Sequence, residues 1–151
     1  MLCDLDAERV ILELRAETRD AALREIVAVM AEGGKVREAE KFFGQVLARE
    51  QSMSTFVGHG VAFPHARTEL VSEIVLGIGR SAAGVEYGNE GQRAHLIFLL
   101  GVPIRMVTNY LVCVGALARL TKDEKTRAPL MSAASTAEFV EILREAWLLL
   151  E

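Results

Sequence analysis

The sequence predicts an α/β fold, a single three-layer α/β/α domain in which a mixed β-sheet is flanked by helices on both faces. Three observations predict it. Apolar residues recur at helical spacing near both ends of the chain, and extended apolar runs gather between them. The run at residues 96–100, Leu-Ile-Phe-Leu-Leu, is apolar at every position, as a central strand covered on both faces must be. A length of 151 residues is one ordinary domain, long enough to bury a sizeable core, so residues 1–151 are taken as one unit.

In chain order, the β-branched run at residues 10–14 reads as a first strand. Thr18 stands at an N-cap position before a helix whose Leu23, Ile26, Val27 and Met30 share one face, and Gly33-Gly34 ends it. A second helix spans about residues 37–50, with Phe42, Phe43, Val46 and Leu47 inward. Residues 51–60 are polar and carry two glycines, which predicts an exposed loop; 61–63 form a brief extended stretch ending at Pro64. Three strands are expected at 71–79, 85–87 and 94–100, the last two joined by a turn at 88–91. Helical spacing returns after Arg105, with Val107, Leu111, Val114, Leu117 and Leu120 on a broad apolar arc. A shorter helix follows at about 123–133, and Ser135-Thr136-Ala137-Glu138 is a capping box that opens the last one.

Composition narrows the function classes. Apolar residues make up 51% and charged ones 25%, a globular balance and not a disordered one. Seventeen Lys and Arg against 21 Asp and Glu leave a net charge of −4, which offers no basic footprint for nucleic acid and no polybasic membrane anchor. No stretch is long enough to span a bilayer and the acidic N-terminus has no signal-peptide pattern. Cys3 and Cys113 are far apart in sequence without a CxxC, so they read as two reduced thiols in a cytoplasmic protein.

The three histidines are His59, His65 and His95. His95 borders the apolar run and reads as a structural strand-edge residue; His59, between Gly58 and Gly60, reads as a loop side chain. His59 and His65 match no zinc spacing, so no metal is expected. His65 differs because Pro64 fixes its own φ and holds Phe63 extended, which stiffens the approach to the imidazole. Gly58 and Gly60 allow backbone N–H groups to face an anion, while Arg49, Ser54 and Thr55 lie just upstream with a guanidinium and two hydroxyls. A neutral ring nitrogen that attacks, with donors that offset phosphoryl charge, is what phosphohistidine chemistry requires. From the pattern alone, two readings of His65 stay open: a histidine in a turn, or a nucleophile.

The stretch Glu50 followed by Val57-Gly58-x-x-Val61-Ala62-Phe63-Pro64-His65-Ala66 resembles the signature of enzyme IIA domains of the fructose–mannitol type (PTS EIIA type-2). That family serves the phosphoenolpyruvate-dependent sugar phosphotransferase system and includes the nitrogen-regulatory IIA proteins. Arg49-Glu50, Ser54-Thr55, Gly84-Val85-Glu86-Tyr87, Leu96 to Pro103 and residues 116–120 extend the resemblance along nearly the whole chain. Two positions depart from the pattern. Phe63 stands where the family has an aliphatic residue, and Tyr110 where it has a second histidine beside the phosphorylated one.

The resemblance implies a phosphocarrier. His65 is expected to accept a phosphoryl group from an HPr-type phosphocarrier protein, or its nitrogen-branch counterpart. It would then pass it to an enzyme IIB or use it as a signal to a regulatory target protein. Arg49 and Thr55, with Ser54 and Tyr110, are expected to stabilise the phosphoryl group. No cofactor is implied, since a phosphohistidine donor is already activated. The lone domain favours the nitrogen-regulatory branch. The alternative is a non-catalytic regulatory interaction module with the same fold, its transfer impaired because a tyrosine, with a pKa near 10, supplies no readily formed cation.

Overall fold

The computed structural model describes residues 3–89 and 91–150. Its centre is a six-stranded mixed sheet: β1 (Val10–Ile11), β2 (Phe56–Gly58), β3 (Val61–Ala62), β4 (His65–Thr68), β5 (Val75–Glu86) and β6 (Arg93–Pro103). Strand order is β1-β5-β6-β3-β2, with β4 also paired to β6. β5 and β6 run antiparallel; β1 lies parallel to β5, and β3 and β4 lie parallel to β6. Two helices, α1 (Arg19–Glu32) and α2 (Ala39–Ser52), cover one face; α3 (Val107–Lys122), α4 (Glu124–Ser132) and α5 (Thr136–Leu150) cover the other. The three-layer α/β/α arrangement with a mixed sheet is as expected from the sequence.

The alternation of β6 divides the core in two. Leu96, Phe98 and Leu100 join the α3–α5 side with Leu117, Phe139, Leu143 and Trp147, while Ile97 and Leu99 join Leu23, Ile26, Met30 and Phe42 of α1 and α2. A strand apolar on both faces is what a position between two helical layers demands. Gly77 and Gly79 keep one face of β5 bare, since a Cβ at either would run into Ile26 or Met30 of α1.

Several boundaries differ from the sequence reading. The first strand is only Val10–Ile11; beyond it the segment meets β5 only at isolated points, Leu14 N–H on the Arg80 carbonyl at 2.8 Å and Glu86 N–H on the Glu17 carbonyl at 2.9 Å. Thr18 is the N-cap residue of α1 without a side-chain capping bond. The expected strands at 71–79 and 85–87 are one 12-residue strand whose register shifts between Arg80 and Val85. That irregularity mimics a loop in sequence but does not break the strand. The expected loop at 51–60 contains β2, which turns at His59 and Gly60 into antiparallel pairing with β3. Strand β4, not expected from the sequence beyond the extended stretch that ends at Pro64, forms because β6 runs alongside it from Leu100 to Pro103 and supplies partners. One half of the capping box forms as expected, Ser135 Oγ accepting from Glu138 N–H at 3.0 Å, while the Glu138 carboxylate reaches one residue further back and accepts from Ala134 N–H at 2.8 Å. The expected 88–91 turn includes Glu90, and the N-terminal pattern includes Met1 and Leu2; these residues lie outside the described ones.

Cys3 and Cys113, expected as separate thiols, meet instead. Their Cα atoms are 6.3 Å apart, a separation a disulfide spans, and the sulfur atoms are in contact. Both are buried in the cluster beneath α3, so a pair 110 residues apart in sequence is joined by the fold. Among the described residues, no helix is long and apolar enough to cross a membrane.

Candidate functional site

The strand segment from Val61 onward places the imidazole. Val61 and Phe63 point into the α3–α5 core and Ala62 and Ala66 into the α1–α2 core, so by alternation His65 belongs to the α3 side. β4 holds it there, paired at Leu100, while Pro64 O accepts from Leu100 N–H at 3.0 Å. Phe63 stacks on Phe98 at 5.6 Å and its N–H reaches Thr55 O at 3.1 Å, so the residue before the proline is pinned on two sides. The aromatic Phe63 is thus accommodated in the core, in the short break between β3 and β4.

His65 is part-buried, with Nδ1 3.1 Å from the Phe63 carbonyl. A carbonyl only accepts, so in the neutral ring Nδ1 carries the proton and Nε2 carries the lone pair. The Tyr110 ring, in the first turn of α3, lies over the imidazole with centroids 4.8 Å apart. Its hydroxyl is 3.3 Å from Nδ1 and 3.5 Å from Nε2. Burial lowers the pKa of His65 below its ordinary value; the bond to the Phe63 carbonyl opposes this, the Arg49 charge adds to it, and Glu50 opposes it. The ring is therefore neutral and nucleophilic near pH 7. Burial raises the pKa of Tyr110, so it stays a phenol throughout the working pH range.

The end of α2 forms the shoulder of the site. Arg49 donates to the Met53 carbonyl at 2.8 Å, folding its guanidinium back over the helix terminus, where its charge is felt by both His65 and Tyr110. Glu50, only 2% exposed, accepts from Thr55 N–H at 2.6 Å, Thr55 Oγ1 at 2.5 Å and Tyr87 Oη at 2.7 Å. A buried carboxylate of this kind is tolerated because charge-assisted hydrogen bonds replace its water.

The expected cluster is thus partly assembled. His65 and Tyr110 come together, and the Arg49 charge acts on both from the end of α2. Thr55 is buried and its hydroxyl is spent on Glu50, so it supports the loop from behind and does not face outward. Ser54 is exposed; its Oγ accepts from Phe56 N–H at 3.2 Å in a local turn, and the nearest atom to a Cβ at Gly88 is this same oxygen.

The Gly58–Gly60 turn does not cradle His65. Val61 pairs with Leu96 and His65 with Leu100, a separation of about 13 Å along the strand, and the turn lies beside Ala118, Thr121 and Lys122 at the far end of α3. Its left-handed residues serve a tight hairpin: φ is +97° at Gly58, +54° at His59 and +72° at Gly60. His95 accompanies that turn, with Nδ1 3.0 Å from the Ser81 carbonyl and its ring against Gly60. Among the described residues, no group of three His, Cys, Asp or Glu is placed to hold a metal.

Sequence reasoning missed Glu50 as a structural charge, Tyr87 as its partner and the Phe63 carbonyl as the selector of the tautomer. The first left a signal. Phe42, Val46 and Glu50 recur every four residues, so an acidic residue occupies an inward helical position and must find buried donors. Tyr87 left none, because its partner lies on another segment; the Phe63 carbonyl lies only two residues before His65, and the contact depends on the backbone and ring conformation at that step.

A three-layer domain with a part-buried histidine under the start of a crossing helix has the fold of phosphotransferase-system IIA proteins. The solved structure of the nitrogen regulatory protein IIA-Ntr from Neisseria meningitidis superposes with a TM-score of 0.85, covering 94% of this chain and 96% of that one at 24% identity. IIA mannitol of Escherichia coli, solved in complex with phosphorylated IIB mannitol, gives 0.83 over 95% and 99% of the two chains, also at 24% identity. At that identity the likeness shows the fold alone.

The chain belongs to the phosphoenolpyruvate-dependent sugar phosphotransferase system EIIA 2 family, whose model matches residues 5–146. It is 29% identical over 142 residues to the fructose-specific EIIABC component of Bacillus subtilis, covering 93% of this chain and 22% of that protein. It is also 29% identical over 139 residues to the fructose-specific EIIA component of Haloferax volcanii, covering 91% and 90%. The chain thus spans about a fifth of the Bacillus relative and nearly all of the Haloferax one.

Proposed function

We propose that this chain is a phosphocarrier in which His65 Nε2 accepts a phosphoryl group from the phosphohistidine of an HPr-type protein. The observation that carries the reading is the Nδ1–Phe63 carbonyl contact on a ring whose pKa is lowered by burial. It leaves Nε2 unprotonated and aimed away from the strand. The N–P bond to Nε2 forms as the donor's N–P bond breaks; the donor nitrogen recovers its electron pair, and the Nδ1 proton stays on His65. The carbonyl then stabilises the positive charge that the ring gains. Arg49 supplies the nearby cation that offsets phosphoryl charge, and the Tyr110 hydroxyl is within reach of a group on Nε2.

Exposed Met53, Leu111 and Val112 follow the segments that carry these residues and suit an apolar docking rim. The onward acceptor is a cysteine of an enzyme IIB in a transport role, or a change in binding to a regulatory target protein in a signalling one. No cofactor takes part. The setting is the cytoplasm, where that donor chain operates.

The test is incubation with phosphoenolpyruvate, enzyme I and HPr followed by intact mass. An acid-labile phosphate adduct that is lost in His65→Ala supports the carrier. An unlabelled wild-type chain beside a labelled control IIA overturns it and leaves the interaction module, for which Tyr110 in place of a second histidine is the observation. Tyr110→His labelling faster than wild type would assign any rate deficit to that substitution.

A further inference from the structure

Tyr87 is fully buried at the end of β5, remote in sequence from every residue of the site, and its hydroxyl is aimed at a single group. It donates to Glu50 Oε1 at 2.7 Å and lies 3.4 Å from Thr55 Oγ1; its ring packs on Phe56 at 6.1 Å. Burial and the Glu50 charge push its pKa far up, so the phenol keeps its proton and the direction of the bond is set: Tyr87 donates, Glu50 accepts. A phenylalanine would fill the same space without the hydroxyl, so the oxygen needs a reason of its own.

The neighbours of Glu50 supply that reason. Arg49, adjacent in the chain, would be the natural partner for a carboxylate with too few donors. Instead the Glu50 carboxylate is held by three donors from the loop and from β5, and Arg49 donates to the Met53 carbonyl. The charges that reach His65 come from α2, as Arg49 and Glu50, and act on it in opposite directions; from α3 it meets the neutral phenol of Tyr110. Which of the two α2 charges dominates depends on where the carboxylate is held.

We propose that Tyr87 is a positioning residue for phosphoryl acceptance at His65, acting through Glu50. Its hydroxyl helps keep the carboxylate in the buried pocket behind Thr55, so that the Arg49 charge, which acts on the imidazole from the end of α2, is not neutralised. This rests on the phosphocarrier reading for its rate consequence but not for its electrostatic one.

The experiment is Tyr87→Phe, with Phe56→Leu as a control that disturbs the same packing and spares the bond. Ring-nitrogen NMR titration of His65 in the unphosphorylated protein is the first readout. Tyr87→Phe is expected to raise the His65 pKa, Phe56→Leu to leave it unchanged, and Glu50→Gln to lower it. In the double variant the Glu50→Gln value should persist, because no charge remains to reposition. The second readout is the rate of labelling from phosphorylated HPr, expected to fall about tenfold in Tyr87→Phe, the scale of one hydrogen bond to a charged group.

A Tyr87→Phe protein with lowered melting temperature but unchanged His65 pKa and labelling rate would overturn the proposal and leave a purely structural phenol. Should Tyr87→Phe not fold, Glu50→Gln alone decides: an unaltered His65 pKa there removes the link through which Tyr87 would act. If the wild-type chain takes no label at all, the phosphocarrier reading fails, while the titrations still decide the positioning role.

Discussion

At His65 the balance of neighbours determines which proton state is available. Burial and the Arg49 guanidinium both work against the imidazolium, so replacing Arg49 should move the His65 pKa upward. In Arg49→Gln the NMR titration of His65 is expected to shift towards its ordinary value near 6.5, and the labelling rate to drop about a hundredfold as the cation proposed to offset phosphoryl charge is lost. Wild-type labelling should stay level as pH falls to about 6.5 and decline only in more acid solution, when Nε2 is protonated. A decline that begins well above neutrality would contradict the lowered pKa. Folding stability follows with the same sign. The unfolded histidine takes up its proton first, so stability is complete above its ordinary pKa and is lost as pH falls towards the folded one. The urea midpoint of wild type should therefore fall relative to that of His65→Gln on acidification from about pH 7.5.

Among the elements, the β2–β3 hairpin and the last helix carry separable tests. Gly60 has φ +72°, and a Cβ there would sit 2.8 Å from His95 Cδ2. Gly60→Ala is expected to cost about 2 kcal/mol from left-handed strain and overpacking together. In a His95→Ala background the same substitution should cost measurably less, because the ring it meets is gone; equal costs in both backgrounds would leave strain as the whole cause. Ser135 caps α5 through Glu138 N–H, so Ser135→Ala should lower stability by about 1 kcal/mol in urea unfolding while phosphoryl labelling is unchanged.

For the molecule as a whole, the juxtaposed Cys3 and Cys113 offer a long-range closure. Oxidation by a disulfide such as oxidised glutathione would join them, releasing two reduced thiols and lowering the protein mass by two hydrogens. Closing a loop of this length stabilises by up to about 4.7 kcal/mol through the unfolded state. The melting temperature of the oxidised form should fall on adding reductant, and Cys3→Ser should be insensitive to it. A reductant-independent melting point in a protein whose mass shows the bridge would refute the closure effect.

Legibility in the sequence followed the range of the forces involved. Helices α1, α3 and α5 and strand β6 were readable because apolar spacing and capping are encoded within one segment. The glycines on either side of His59 were readable as a turn, yet their placement near His65 was not, since only the pairing of Val61 with Leu96 and of His65 with Leu100 shows how far apart they lie. Thr55 carried the right chemistry for the expected role, and the buried carboxylate of Glu50 claimed it first. By itself, then, the sequence determined the three-layer class, the central strand, and the stiff Phe63-Pro64 approach that singles out His65. The tertiary structure alone decided that Tyr110 covers the His65 ring and that Tyr87 and Thr55 hold Glu50. Each of these depends on groups from different segments meeting within hydrogen-bond distance, and no local pattern encodes that meeting.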